Sequence, residues 1–219
     1  MPEKSFWEHR WNEGSTGWHI NQVHPYLQQY HSLLKKSSPA SLLVPLCGKS
    51  HDLVWLLQKG FSVTGIEYVQ KASEQFFSQV LNVEIPKSLL KNKMIHYQYK
   101  SLHYVVGDFF NFISDTLFDF IYDRAALIAI EPSLREKYVQ KQSTLLKDNG
   151  KIFLITFECD YGIGPPFSVS IEDIIKLYQP FFTIQVVEKK DIFHEPDSQR
   201  FINQGASYLV EAVILLSKK

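Results

Sequence analysis

SLLVPLCGKSHDLVWLLQKGFSVTGIE, residues 41–67, is the stretch on which the fold turns. Ser41-Leu42-Leu43-Val44 is an apolar run of buried-strand length, and Leu53, Val54, Leu56 and Leu57 then recur at helical spacing until Lys59-Gly60. A second apolar run, Phe61 to Ile66, stops at Glu67. Strand, glycine turn, helix, strand and acid, in that order, are how an open parallel sheet builds a ligand crevice at its carboxyl edge.

The turn between, Pro45-Leu46-Cys47-Gly48-Lys49-Ser50, limits what that crevice takes. Dinucleotide sites space three glycines so that backbone approaches a pyrophosphate at a helix N-terminus. Only Gly48 is present, and the upstream glycine position of a phosphate-binding loop holds Leu43. A phosphate-free nucleoside such as S-adenosylmethionine needs only space for adenine and ribose, and an acid for the hydroxyls. An ionised carboxylate at Glu67 accepts hydrogen bonds and repels phosphate. The alternative is an ordinary strand-ending acid, and the spacing leaves both readings open. A sheet-edge acid of this kind is expected near solvent.

The chain has 219 residues, suiting one α/β domain, with 1–38 as a helical cover and 39–219 as the sheet core. Apolar residues make up 45% of it and aromatics 14%, enough for a packed core. Lys plus Arg and Asp plus Glu number 23 each, which argues against a basic nucleic-acid surface. No apolar run reaches bilayer length and no signal peptide is visible. Cys47 and Cys159 supply neither a disulfide framework nor a metal quartet, so a reduced cytoplasmic chain without metal is expected. Nothing suggests an obligate partner, and a monomer is the default.

The α/β alternation continues outward. Helices are expected over Ser5 to Trp11, Pro25 to Lys35, Val69 to Val80, Pro132 to Leu146 and Ser170 to Tyr178. Strands are expected in two runs between Ile95 and Val106, then over Leu117 to Tyr122, Lys151 to Glu158, Phe181 to Lys189 and Tyr208 to Leu216, the last antiparallel. Pro86 to Lys93 reads as irregular or briefly helical. This predicts a three-layer αβα sandwich, a mostly parallel seven-stranded sheet with an antiparallel last strand, and N-terminal helices over the crevice. Dehydrogenases share the first half, so motifs must arbitrate.

Those motifs are Phe6-Trp7-Glu8-His9-Arg10-Trp11, the Pro-Leu-Cys-Gly-Lys-Ser turn, Gly65-Ile66-Glu67, Gly107-Asp108-Phe109-Phe110, Tyr122-Asp123-Arg124-Ala125-Ala126-Leu127 and Gly164-Pro165-Pro166-Phe167-Ser168-Val169. In this order the chain resembles the thiopurine S-methyltransferase family over nearly its whole length, and the short stretch before Phe6 is similar to its shorter, bacterial-type members. The resemblance implies that Trp11, Leu46, Glu67 and Arg124 contact S-adenosylmethionine, and that Trp18-His19 borders the methyl acceptor. Many members carry Phe where this chain has Trp18. For Arg124 a structural pair with Asp123 is the competing reading, and for Trp11 simple packing with Trp7.

Asp108 and Phe109 follow the third core strand, where the acid could reach the adenine amino group and the ring could stack, or Asp108 could cap a turn. Pro166 and Phe167 could form the opposite wall of the acceptor pocket or lead into a Ser170 cap. Cys47 with His51 invites a nucleophile reading, yet no orienting third group is evident and a buried small residue fits better. No residue is assigned as catalytic. The resemblance implies methyl transfer from S-adenosylmethionine to the sulfur of thiopurines and other aromatic or heterocyclic thiols, small-molecule substrates all. The alternatives are methylation of selenium or tellurium species, a non-catalytic S-adenosylmethionine sensor, and a nicotinamide oxidoreductase lacking its glycines.

Overall fold

Parallel strands must return by crossover helices, and the first 122 residues do so. A computed structural model describes residues 3–34, 39–160, 162 and 164–219. It divides into two compact units, Pro2–Tyr122 and Asp123–Lys219, and the division falls inside a strand. Lys35, at the end of the expected second helix, lies outside the described residues.

In the first unit, helices α1 (Lys4–Asn12) and α2 (Pro25–Tyr30, continued as one 3-10 turn) precede β1 (Ser41–Pro45), α3 (His51–Gln58), β2 (Ser62–Glu67) and α4 (Gln70–Gln75). The α4 helix widens into a π-helical turn, Phe76–Val80. Then come β3 (Ser88–Lys91), β4 (Met94–Tyr99), β5 (Leu102–Val106) and β6 (Phe118–Arg124). Strand order is β3-β4-β5-β2-β1-β6. β1 pairs in parallel with β2 and β6, and β2 with β5. These strands are buried almost throughout, as continuous apolar runs require.

The second unit carries α5 (Arg135–Leu145), β7 (Leu146–Cys159), α6 (Ile171–Tyr178), β8 (Phe182–Asp191), the short α7 (Gln199–Ile202) and β9 (Leu209–Lys218), in sheet order β7-β9-β8. β9 runs antiparallel to both neighbours, as expected. Ser170 caps α6 in a reciprocal box with Asp173.

The α/β class and its parallel centre are as predicted, but among the described residues nine strands are present where a seven-stranded sheet was expected. One of the surplus strands is Ser88–Lys91, in place of the irregular or helical piece predicted. It pairs antiparallel with β4, which itself pairs antiparallel with β5. The turn joining β3 to β4 is Asn92-Lys93, both with φ positive, at 52° and 61°. That is the backbone of a tight hairpin, built without the glycine that advertises one.

Candidate active site

The turn leaving β1 is locally strained and pinned from several sides. Leu46 has φ of 47° and Gly48 of 53°, a region unfavourable to a leucine. The Cys47 N–H donates to the Ile66 carbonyl at 2.9 Å, and the Tyr104 hydroxyl, from buried β5, donates to the Gly48 carbonyl at 2.7 Å. Ser50 then caps α3, accepting from the Asp52 N–H at 3.1 Å. Lys49 turns away and donates to Gln75 and Gln79 at 2.8 and 3.0 Å, so it cradles no phosphate.

Glu67 closes β2 and ties this turn to the next. Its Oε2 accepts from the Gly48 N–H and its Oε1 from the Val69 N–H, both at 2.9 Å. The residue is 6% exposed, so the expectation of a solvent-near acid is corrected: the sheet edge here is roofed. Burial pushes its carboxyl above the ordinary glutamate value, while the N–H groups of Val69, Gly48 and Tyr68 pull it back. Each oxygen keeps acceptor capacity beyond its backbone bond, so a ligand here must bring donors.

The roof is aromatic. Trp11 is 3% exposed and packs with Val69 and Ala72, with Trp7, Trp18 and Tyr68 partly buried against them. A Cβ built on Gly48 would meet the Trp11 ring at an ordinary contact distance of 3.4 Å, so it is the positive φ of the turn that calls for glycine. Trp18 meets Trp11 and Trp7 edge to face, with centroids 6.0 and 5.4 Å apart. His19 stacks on His51 at 5.9 Å, bringing the segment expected to border the acceptor to the start of α3. Tyr68 holds its proton more tightly than usual, through burial first and then the charges of Asp108, Glu8 and Glu3. Those acids give the Tyr68 rim a negative field.

Cys47 is excluded as a nucleophile. It is buried, and burial together with the Glu67 charge pushes its thiol well above the ordinary range. Asp108 adopts the capping alternative, its Oδ1 accepting from the Phe110 N–H at 2.9 Å and its Oδ2 from the Asn111 side-chain amide at 3.2 Å. Phe109 is fully buried, so its ring offers no face for a base to stack on in this arrangement. Phe110, half-buried beside it, is the more open ring.

The second unit holds the remaining candidates. Asp123 is completely buried, and its carboxylate accepts from the Tyr138 hydroxyl at 2.8 Å, the Gln142 amide at 2.7 Å and the Leu127 N–H at 3.1 Å. Arg124 follows, half-buried, and Ala125 takes φ of 63°. The Phe167 N–H donates to the Ile128 carbonyl at 2.7 Å, fastening Pro166 and Phe167 to the turn just past Arg124. Gly164 is required there, because a Cβ would stand 2.3 Å from the Phe167 ring. The first unit thus gathers Trp11, Leu46, Glu67, Trp18, His19 and Asp108, and the second gathers Arg124, Pro166 and Phe167. Sequence reasoning missed Tyr68 and Tyr104. Tyr68 adjoins Glu67 and could have been found, but nothing in the chain links Tyr104 to a turn 56 positions earlier.

Solved structures similar in fold include methyltransferases. A Burkholderia thailandensis 1,6-didemethyltoxoflavin-N1-methyltransferase, crystallised with S-adenosylhomocysteine, superposes with a TM-score of 0.67 at 17% identity, covering 99% of this chain and 87% of that one. A Methanosarcina mazei S-adenosylmethionine-dependent methyltransferase gives 0.60 at 16%, covering 90% and 98%. The fold is thus that of class I S-adenosylmethionine-dependent methyltransferases. The sequence model of thiopurine S-methyltransferase matches residues 2–219. Proteins of that name from Pseudomonas fluorescens and Nitrosospira multiformis are 38% and 34% identical, each over 98% of this chain and 98% and 97% of their own. The chain belongs to the thiopurine S-methyltransferase family of S-adenosylmethionine-dependent methyltransferases.

Proposed function

We propose that the chain transfers the methyl group of S-adenosylmethionine to the sulfur of an aromatic or heterocyclic thiol, thiopurines among them, and acts as a monomer. The observation that carries the cofactor half is Glu67: a buried carboxylate, both oxygens pinned by backbone N–H groups, with lone pairs left over only for donors. A ribose diol supplies two such donors, and a pyrophosphate supplies none. The acceptor half is supported by the relatives, which carry that activity in their names.

When bound, the cofactor supplies an electrophilic methyl on a positively charged sulfur. The residues then have positioning roles. Within the first unit Glu67 holds the sugar and Leu46 borders the amino-acid portion; in the second, Arg124 carries the planar fork suited to a carboxylate. The backbone at Asp108 and Phe109 lines the base, because the Phe109 ring is enclosed. Trp11 excludes water, and its indole together with the negative rim at Tyr68 favours a cation. Trp18 with His19 walls the acceptor within the first unit, and Pro166 with Phe167 are the acceptor candidates of the second.

A thiol ionises near neutral pH, around 8.5 for a cysteine-like group, so no strong base is needed. Holding nucleophile, carbon and leaving sulfur in line is worth roughly 7–11 kcal/mol in well-oriented cases. The aromatic enclosure of Trp7, Trp11 and Trp18 would keep the site poor in water, which favours a reaction in which opposite charges are neutralised.

Calorimetry with S-adenosylmethionine and with NADH, followed by an acceptor screen with labelled methyl donor over thiopurines, thiophenols and selenite, tests this. We expect S-adenosylmethionine alone to bind and label to appear in the thiols. Preferential NADH binding would overturn the cofactor assignment. Cofactor binding with every thiol unlabelled would overturn the acceptor assignment.

A further inference from the structure

Among the described residues, three buried side-chain polar atoms have no hydrogen-bond partner: Trp7 Nε1, Arg10 Nε and Thr156 Oγ1. The last belongs to β7 in the second unit. The first two lie three apart on α1 and hence on one face. Both side chains converge on one ring: Trp7 meets Trp18 at 5.4 Å between centroids, and the Arg10 guanidinium lies 5.5 Å from the Trp18 centroid. The guanidinium also lies 5.9 Å from the Phe6 ring. It makes no hydrogen bond or ion pair with any described residue, whereas Lys4, on the same helix, is paired with Glu8 at 3.4 Å.

Unpaired buried donors are rare and each costs about 1–3 kcal/mol. Here the Trp7 indole N–H and the Nε–H of the charged, half-buried Arg10 are left open together, beside aromatic faces and with no acid paired to either among the described residues. The missing element is an acceptor bearing negative charge. Trp18 also touches Trp11, so whatever fills this gap adjoins the ring assigned to the acceptor.

We propose that Arg10 and Trp7 form an oxyanion receptor that selects thiol acceptors carrying a second, permanently anionic group such as a sulfonate or carboxylate. The inference rests on the methyl-transfer reading. The receptor does not serve the reacting thiolate. That charge is consumed as the new carbon–sulfur bond forms and the bond to the sulfonium breaks, so a cation on the nucleophile would be worth more before the transition state than in it. A spectator oxyanion keeps its charge throughout and contributes to both. Trp18 stands on the turn after α1, outside any helix or strand, and is the ring that turns aside to open the two donors. Arg10 and Trp7 are specificity residues in this scheme.

Two measurements test it. Indole N–H resonances are followed by NMR as unreactive benzenesulfonate is titrated, and kcat/KM is compared for 4-sulfanylbenzenesulfonate and the neutral 4-methylbenzenethiol. We expect a saturable shift of the Trp7 indole that weakens at least tenfold in Arg10→Gln. The charged-to-neutral kcat/KM ratio should fall at least tenfold in that variant and be largely restored in Arg10→Lys. Trp7→Phe, which keeps the ring and removes only the N–H, should lower the same ratio threefold or more, so the test survives if Arg10→Gln misfolds. A Trp7 indole unmoved by sulfonate, or equal losses for both thiols, would overturn the proposal. A sulfonate-dependent shift in a protein that methylates neither thiol would leave the receptor standing and remove the methyl-transfer reading instead.

Discussion

Two residues concentrate what the site asks of single side chains. Glu67 uses one lone pair of each oxygen on the backbone of its own turn, so its substitution touches folding as well as binding. Glu67→Gln places an amide NH2 against a backbone N–H. We expect S-adenosylmethionine affinity, read by calorimetry, to drop at least tenfold and the melting temperature to fall, consistent with about 1–3 kcal/mol for a buried donor left unpaired. Unchanged affinity would remove the ribose role. Gly48 carries a backbone constraint, a φ of 53°, while a Cβ there would meet the Trp11 ring only at an ordinary contact distance of 3.4 Å. Gly48→Ala should cost about 1–2 kcal/mol from the left-handed backbone. That cost should persist in a Trp11→Ala background, as urea unfolding of the double-mutant cycle would measure. The acid at position 67 was legible as the end of an apolar run. Its burial was not, because its roof comes from Trp11 and its donors from Gly48 and Val69.

Elements were legible where periodicity was strong and failed where turn chemistry was disguised. The β1–α3–β2 unit and the two strand runs between Ile95 and Val106 were read directly. The β3–β4 hairpin was not, since Asn92-Lys93 puts a lysine at φ of 61°, where Asn-Gly would have announced the turn. Every residue of β3 is also exposed, with Leu89 at 64% and Leu90 at 74%, so no inward face marked it as a strand. Lys93→Gly should relieve a left-handed side chain and stabilise the protein by roughly 0.5–1 kcal/mol, seen as a higher urea midpoint with an unchanged slope. A lower midpoint would mean that the lysine makes a contact worth more than its strain. Asp108 illustrates the same limit, since an acid after a strand can reach a ligand or cap a turn, and only the positions of Phe110 and Asn111 distinguish the two.

At the scale of the molecule, composition and the alternation of elements gave the class, and ordered motifs gave the family. The division after Tyr122 was invisible, because β6 runs across it as one continuous, almost wholly buried strand. The second unit is organised on a buried acid. Asp123 accepts from Tyr138, Gln142 and Leu127, and the Tyr178 hydroxyl extends the chain to Gln142 at 2.9 Å. Burial raises the Asp123 carboxyl above its ordinary value against the pull of those donors. A carboxyl raised on folding contributes stability that is fully present below its unfolded value, about 3.9, and is lost as pH climbs through its folded value. Asp123→Asn keeps one acceptor where two serve three donors, so urea unfolding should show a loss of about 1–3 kcal/mol. Asparagine cannot titrate, so the loss should be larger at pH 5 than at pH 7.5. The reverse ordering would mean that the ionised form is the one the fold prefers.

Cys47 sits one residue from the strained leucine, wedged so tightly beneath β2 that a methyl on Gly65 would come within 2.8 Å of its sulfur. Cys159, the other cysteine, is buried as well. A catalyst that keeps an alkylating agent beside a soft nucleophile of its own risks inactivating itself at each turnover. On the proposed reading, burial disfavours the thiolate of the resident sulfur, and the crowding that shapes the turn walls it off from the methyl donor.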